Sequence, residues 1–114
     1  MANKDVCELL ASPKDLEKRI KEKKNVFVLF YASWCPYSQK FLPEFIKSAG
    51  ASKECHARIL VDDNDTLVDD YSIEVYPTVL YFKNGKLDKR LDGISSVGLN
   101  KSQLEDFKKK CGAV

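Results

Sequence analysis

The residues best placed for chemistry run Trp34-Cys35-Pro36-Tyr37-Ser38-Gln39. A tryptophan, a cysteine, a proline and an aromatic stand in the order a dithiol redox site uses, and Ser38 then stands where a second cysteine would be. Cys35 falls between an apolar run, 26–31, and a helical pattern. A cysteine at a helix N-terminus meets unpaired backbone N–H groups and the positive end of the macrodipole. Both favour the thiolate, which is the nucleophilic form. Pro36 suits the first turn because its missing N–H costs nothing there. Ser38, one helical turn on, is placed to donate a hydrogen bond from its hydroxyl to that thiolate. The competing reading is a buried, inert cysteine beside a core tryptophan.

The other chemistry-bearing residues form weaker patterns. The four cysteines, at 7, 35, 55 and 111, include no C-x-x-C pair, and His56 is the single histidine, so zinc lacks its ligand set. Cys55 and His56 are adjacent, but neighbours on a strand point to opposite faces, which favours a structural role. The acidic stretch 62–74 invites a calcium-loop reading with Asp63 in the first position. Leu67 then fills a ligand position and Val68 the position that requires glycine, so the reading fails. Cys7 and Cys111 are expected to be reduced thiols, Cys111 the more surface-reactive.

These residues need elements to position them. A short alternating stretch within 3–11 predicts a first strand. Ser12 and Pro13 predict an N-cap and a first helical residue, and Leu16 and Ile20 continue that helix to about Lys23. The run 26–31 predicts a strand buried on both faces. Phe41, Leu42, Phe45, Ile46 and Ala49 recur at helical spacing, with Pro43 expected to kink the helix and Gly50 to end it. Residues 57–61 predict another buried strand, 65–71 a short helix, and 75–83 a proline turn and a strand. Asn84-Gly85 is a hairpin signal, and 87–91 is its partner strand. Asn100 and Gln103 resemble a capping box opening a last helix that carries Leu104 and Phe107 and closes at Gly112. The order βαβαβαββα predicts a mixed sheet with helices on both faces.

Composition narrows the function classes. The chain has 114 residues, 44% hydrophobic and 32% charged, with a net charge of +2. That suits a soluble globular domain able to bury a core without metals or disulfides. The charge is too small for a nucleic-acid footprint, and the lysine runs 21–24 and 108–110 are expected as solvated helix faces. No apolar run approaches the roughly 20 residues of a membrane span. MANKDVCELL lacks a signal-peptide core, so the expectation is a cytoplasmic protein with reduced thiols.

VFVLFYASWCPYSQKFLPEF, EVYPTVLYFKNGK and the closing amphipathic helix resemble a thioredoxin-fold protein over nearly the whole chain. Three motifs fall in that family's order: the strand–Trp34-Cys35–helix junction, Pro43 within the helix, and Tyr76-Pro77-Thr78 before the hairpin strand. The resemblance implies an α/β thioredoxin fold, a central mixed sheet flanked by helices on both faces, as a single domain over 1–114. It implies that Cys35 is the nucleophile and that the Tyr76–Pro77 bond is cis, a minority state even before proline, and faces it. Ser38 and Leu29 depart from the pattern. Ser38 replaces the resolving cysteine, and Leu29 stands where thioredoxins keep a buried acid tied to that thiol's proton. Serine variants of this kind occur naturally in thioredoxin-like proteins, and a Cys→Ser trapping substitution in a dithiol protein gives the same string; Leu29 favours the natural monothiol site. Pro36-Tyr37 is similar to glutaredoxins, which brings in glutathione as a resolving thiol.

The resulting expectation is a thiol-disulfide exchange protein of the oxidoreductase or isomerase kind, monomeric and needing no cofactor, with protein thiols and disulfides as partners. Cys35 forms mixed disulfides and Ser38 supports its thiolate. Trp34, Pro36 and Tyr37 shape the rim, and Tyr76, Pro77 and Thr78 hold substrate backbone. An external thiol completes turnover, because a serine cannot attack a mixed disulfide. The rival expectation is a non-catalytic binding or chaperone module that uses the same groove without a covalent step.

Overall fold

The computed structural model describes residues 6–112. Its five strands form one sheet in the order β1-β3-β2-β4-β5. β1 (Glu8–Leu9) is short and pairs in parallel with two residues of the third strand, Ala57 and Arg58. The stretch expected over 3–11 is therefore a strand only at its centre; residues 3–5 lie outside those described. Val6 stays exposed and Leu10 turns into the core. The physical reason is local: Ser12 and Pro13 start a helix two residues after Leu10. Ser12 Oγ accepts the Asp15 N–H at 3.2 Å, and α1 (Pro13–Glu22) buries Leu16 and Ile20.

β2 (Asn25–Tyr31) is the centre of the sheet, flanked by β3 (Cys55–Leu60) in parallel and β4 (Thr78–Lys83) in antiparallel register. A strand covered on both faces needs apolar residues at successive positions. Val26, Val28 and Phe30 pack towards α1, and Phe27, Leu29 and Tyr31 pack towards α2 (Pro36–Gly50). Burying each large side chain of this kind contributes roughly 1.5–3 kcal/mol. α3 (Asp65–Asp70) follows a 3₁₀ turn, Val61–Asp63, and shares the first face with α1 through Leu67. α4 (Lys101–Lys110) shares the second face with α2 through Leu104 and Phe107. The mixed sheet with helices on both faces is the architecture read from the sequence.

Turn chemistry follows the sequence with one exception. Asn84 and Gly85 take φ of 54° and 83°, the left-handed pair a two-residue hairpin turn needs, and join β4 to β5 (Lys86–Asp92). Asn100 and Gln103 exchange both bonds of the capping box. Gly112 leaves α4 at φ 81°. Gly50, however, does not stop α2 by left-handed backbone: it is the last helical residue, and Ala51 is the C-cap. Pro43 lies inside α2 and the helix runs through it. Its ring removes one N–H from the ladder, and the position is exposed, where water can take the orphaned carbonyl.

A buried polar contact ties β3 to α2 and α4. His56 Nδ1 donates to the Glu54 carbonyl at 2.9 Å, which leaves Nε2 as the acceptor for Lys108 Nζ at 2.6 Å. Lys108 also reaches Ser48 Oγ at 2.5 Å and lies 5.2 Å from the centre of the Phe27 ring. Burial and the neighbouring Lys108 lower the His56 pKa to about 4, and burial lowers that of Lys108 to about 8. Cys55 faces the other way, where it accepts Arg19 Nη1 at 3.7 Å, so the two neighbours occupy opposite sides of the strand.

Candidate active site

β2 ends at Tyr31 and α2 begins at Pro36, so the four residues between them are delivered to the helix N-terminus at the end of the central strand. Cys35 is the N-cap, with φ −96° and ψ 116°, and Pro36 is the first helical residue. Cys35 is 7% exposed. Its Sγ lies 3.8 Å from the Tyr76 carbonyl oxygen, a contact in which the thiol is a weak donor. Trp34, 66% exposed, stands beside it with its ring edge-on to Tyr76, the centroids 5.7 Å apart. The helix terminus and the Tyr76-Pro77 segment, 41 residues apart in sequence, thus meet at one sulfur.

The Tyr76–Pro77 peptide bond is cis. Pro77 is buried, and β4 begins at the next residue. Thr78 opens β4. Its side chain is fully buried and its hydroxyl donates to the Val75 carbonyl at 2.8 Å. Its backbone sits in register between Phe30 and Asp92. The Thr78 hydroxyl thus anchors the loop, and the Tyr76 carbonyl adjoins the Cys35 sulfur.

Ser38 behaves differently from the expectation. It is fully buried, and its Oγ accepts the Ala32 N–H at 3.1 Å. No hydrogen bond joins Ser38 to the Cys35 sulfur. The reason is directional: the Ser38 side chain turns back under the loop, toward the end of β2. Leu29, behind it on the second face of the sheet, is fully buried among apolar side chains with Phe41 and Phe45. Tyr37, 38% exposed, packs on Gly98.

Several residues at the site escaped sequence reasoning. Gln39 Nε2 donates to the carbonyls of Ala32 and Ser33, both at 3.2 Å. Asp62 accepts from the Ser33 N–H at 3.1 Å and from the Ser33 hydroxyl at 2.5 Å. These two hydrogen bonds hold the Asp62 carboxyl below the usual carboxylate range, the hydroxyl contributing most. Gly93 lies against the Pro77 carbonyl so closely that a Cβ there would stand 2.4 Å from its oxygen. Gly98, at φ 85°, does the same for Tyr37, with a Cβ 2.8 Å from the tyrosine's own. The two glycines of the 93–98 loop carry the one signal the sequence offered, a close backbone approach. Tyr76 titrates above the ordinary tyrosine range because of burial, reinforced by Asp65 and Asp69.

The Thioredoxin family model matches residues 8–109. The thioredoxin of Mycoplasma genitalium is 36% identical over 85 residues, covering 74% of this chain and 83% of that protein. Mouse protein disulfide-isomerase A5 is 38% identical over 79 residues, covering 64% of this chain and 15% of that protein, so the chain spans a small part of that relative's length. Among solved structures, Fasciola hepatica thioredoxin superposes with a TM-score of 0.80 at 29% identity, covering 90% of this chain and 97% of that one. With the sheet order, the N-terminal cysteine of α2 and the facing Tyr76-Pro77 loop all in place, the chain belongs to the thioredoxin family.

Proposed function

We propose that this protein exchanges disulfides with protein substrates through one nucleophilic sulfur, Cys35. The observation that carries the reading is Cys35 at the N-terminus of α2, its sulfur 3.8 Å from the Tyr76 carbonyl oxygen and next to exposed Trp34, with a serine a turn later. The Cys35 thiolate attacks a substrate disulfide R–S–S–R′, forming Cys35–S–S–R and releasing R′–S⁻. A second thiolate R″–S⁻ must then attack the substrate sulfur of this disulfide, forming R–S–S–R″ and releasing the Cys35 thiolate. Ser38 cannot do this, because an alcohol is not appreciably ionised at neutral pH. Cys55 begins β3 at the far end of β2, about 17 Å of strand away. Release therefore falls to an external thiol: one in the substrate itself, which gives isomerisation, or glutathione, which removes a mixed disulfide. The names of the relatives, thioredoxin and protein disulfide-isomerase, support the protein-disulfide chemistry.

Turbidimetric insulin reduction with dithiothreitol tests the reading. The parent protein is expected to show almost no stimulation, and Ser38→Cys to gain it. The gain is expected to be partial, because Leu29 cannot accept the new thiol's proton and sulfur accepts the Ala32 N–H poorly. Equal activity in the two forms would mean that Cys7, Cys55 or Cys111 resolves the intermediate, and the monothiol reading would fail. A Cys35→Ala form as active as the parent would instead favour the non-covalent binding module.

A further inference from the structure

The loop that carries Cys35 into α2 is held from two sides. Ser38 and Gln39 grip Ala32 and Ser33, but both belong to α2 and move with the helix. The grip from outside is Asp62, in the 3₁₀ turn after β3. Its two carboxylate oxygens take the Ser33 N–H and the Ser33 hydroxyl, at 3.1 and 2.5 Å. Two contacts from one side chain fix the direction of a backbone as well as its place. Ser33 and Trp34 are exposed between buried Ala32 and Cys35, so at Ser33 itself polar contacts, not burial, hold the chain. The position of the N-cap thus depends on polar contacts two residues upstream.

We propose that Asp62 is a positioning residue for Cys35, acting through Ser33 to hold the sulfur at the N-terminus of α2 and beside the Tyr76 carbonyl. The proposal rests on Cys35 being the nucleophile. The carboxylate acts by its hydrogen bonds and against its charge, because a nearby negative charge disfavours a thiolate. Positioning and charge therefore separate in two substitutions. Asp62→Ala removes both contacts. Asp62→Asn keeps both: the amide oxygen accepts the Ser33 N–H, and the amide nitrogen donates to the Ser33 hydroxyl, which serves as acceptor.

The test measures the iodoacetamide alkylation rate of Cys35 in the full chain at mildly acidic pH, by peptide mass spectrometry, with thermal melts alongside. Asp62→Ala is expected to slow Cys35 roughly three- to tenfold, the scale of one hydrogen bond. Asp62→Asn is expected to stay within about twofold of the parent or to exceed it. Ser33→Ala is expected to slow it less than Asp62→Ala, and the double variant no further than Asp62→Ala alone. Because the carboxylate is exposed, melting midpoints are expected to change little. An unchanged rate in Asp62→Ala overturns the proposal, as does an Asn variant as slow as the Ala variant or fully additive losses with Ser33→Ala. Those outcomes leave the Cys35 reading standing if Cys35 is still the fastest thiol in the parent. Faster labelling of another cysteine in the parent overturns both.

Discussion

At the scale of single residues, the proposed chemistry rests on one sulfur, Cys35, with one hydroxyl, Ser38, a helical turn away. The Cys35 sulfur sits at a helix start, the kind of position where reactive cysteines are found. Cys7 is fully buried, and Cys111 is pushed by burial up to about 11. Brief iodoacetamide labelling at mildly acidic pH is therefore expected to modify Cys35 first, and peptide mapping that finds Cys7 or Cys111 ahead of it would refute the assignment. The hydroxyl is a different lesson. Ser38 reads in the sequence as a missing thiol, yet in the fold its oxygen satisfies the buried Ala32 N–H. Its identity was legible and its partner was not, because the partner depends on how the chain turns between β2 and α2. Asp62 and Gln39 escaped for the same reason: a carboxylate among several acids and a glutamine on a helix face carry no periodic signal. Cys35, Trp34 and Tyr76 were legible because a strand, a helix start and a proline turn bracket them.

At the scale of elements, the site is the meeting of α2 with the loops before and after the β4–β5 hairpin. Gly93 lets the chain leaving β5 cross the Pro77 carbonyl. Gly93→Ala would place a carbon 2.4 Å from a backbone oxygen, so the Pro77 loop must move. A destabilisation of about 1–3 kcal/mol is expected, with a larger relative loss of Cys35 exchange rate than Gly50→Ala, whose added carbon meets nothing within 4 Å. Chemical denaturation and exchange kinetics on the two variants decide this; equal effects would count against the close approach. The tie between β3, α2 and α4 makes a second claim. His56 is held neutral in the fold, with a pKa of about 4 against an ordinary 6.5. Between those values the unfolded chain binds more protons, so stability rises with pH across that window and is lost on acidification through it. The loss is expected to be on the order of 3 kcal/mol, and urea melts of the parent and of His56→Gln should show that this part of the slope vanishes in the variant. A parallel slope in the two proteins would place the acid sensitivity elsewhere.

At the scale of the whole molecule, the fold was the most legible level. The apolar run 26–31 fixed a two-sided central strand, the Asn84-Gly85 turn fixed the hairpin, and the capped helices followed from Ser12 and Asn100. What the sequence hid was the link between parts of the chain, including Lys108 against His56 and Ser48, since a lysine in a basic run reads as solvated until the fold buries it. The architecture sets Cys35 at one end of the sheet and Cys55 at the other. With release left to an external thiol, a persistent covalent intermediate is expected. Its most direct test is to mix the reduced protein with a disulfide-bonded protein substrate, quench with acid, and map cross-linked species by non-reducing electrophoresis and mass spectrometry. The predicted result is a mixed disulfide through Cys35 that survives until glutathione or another thiol is added and is absent in Cys35→Ala. A cross-link through Cys7, Cys55 or Cys111, or no covalent species while substrate disulfides still rearrange, would contradict it.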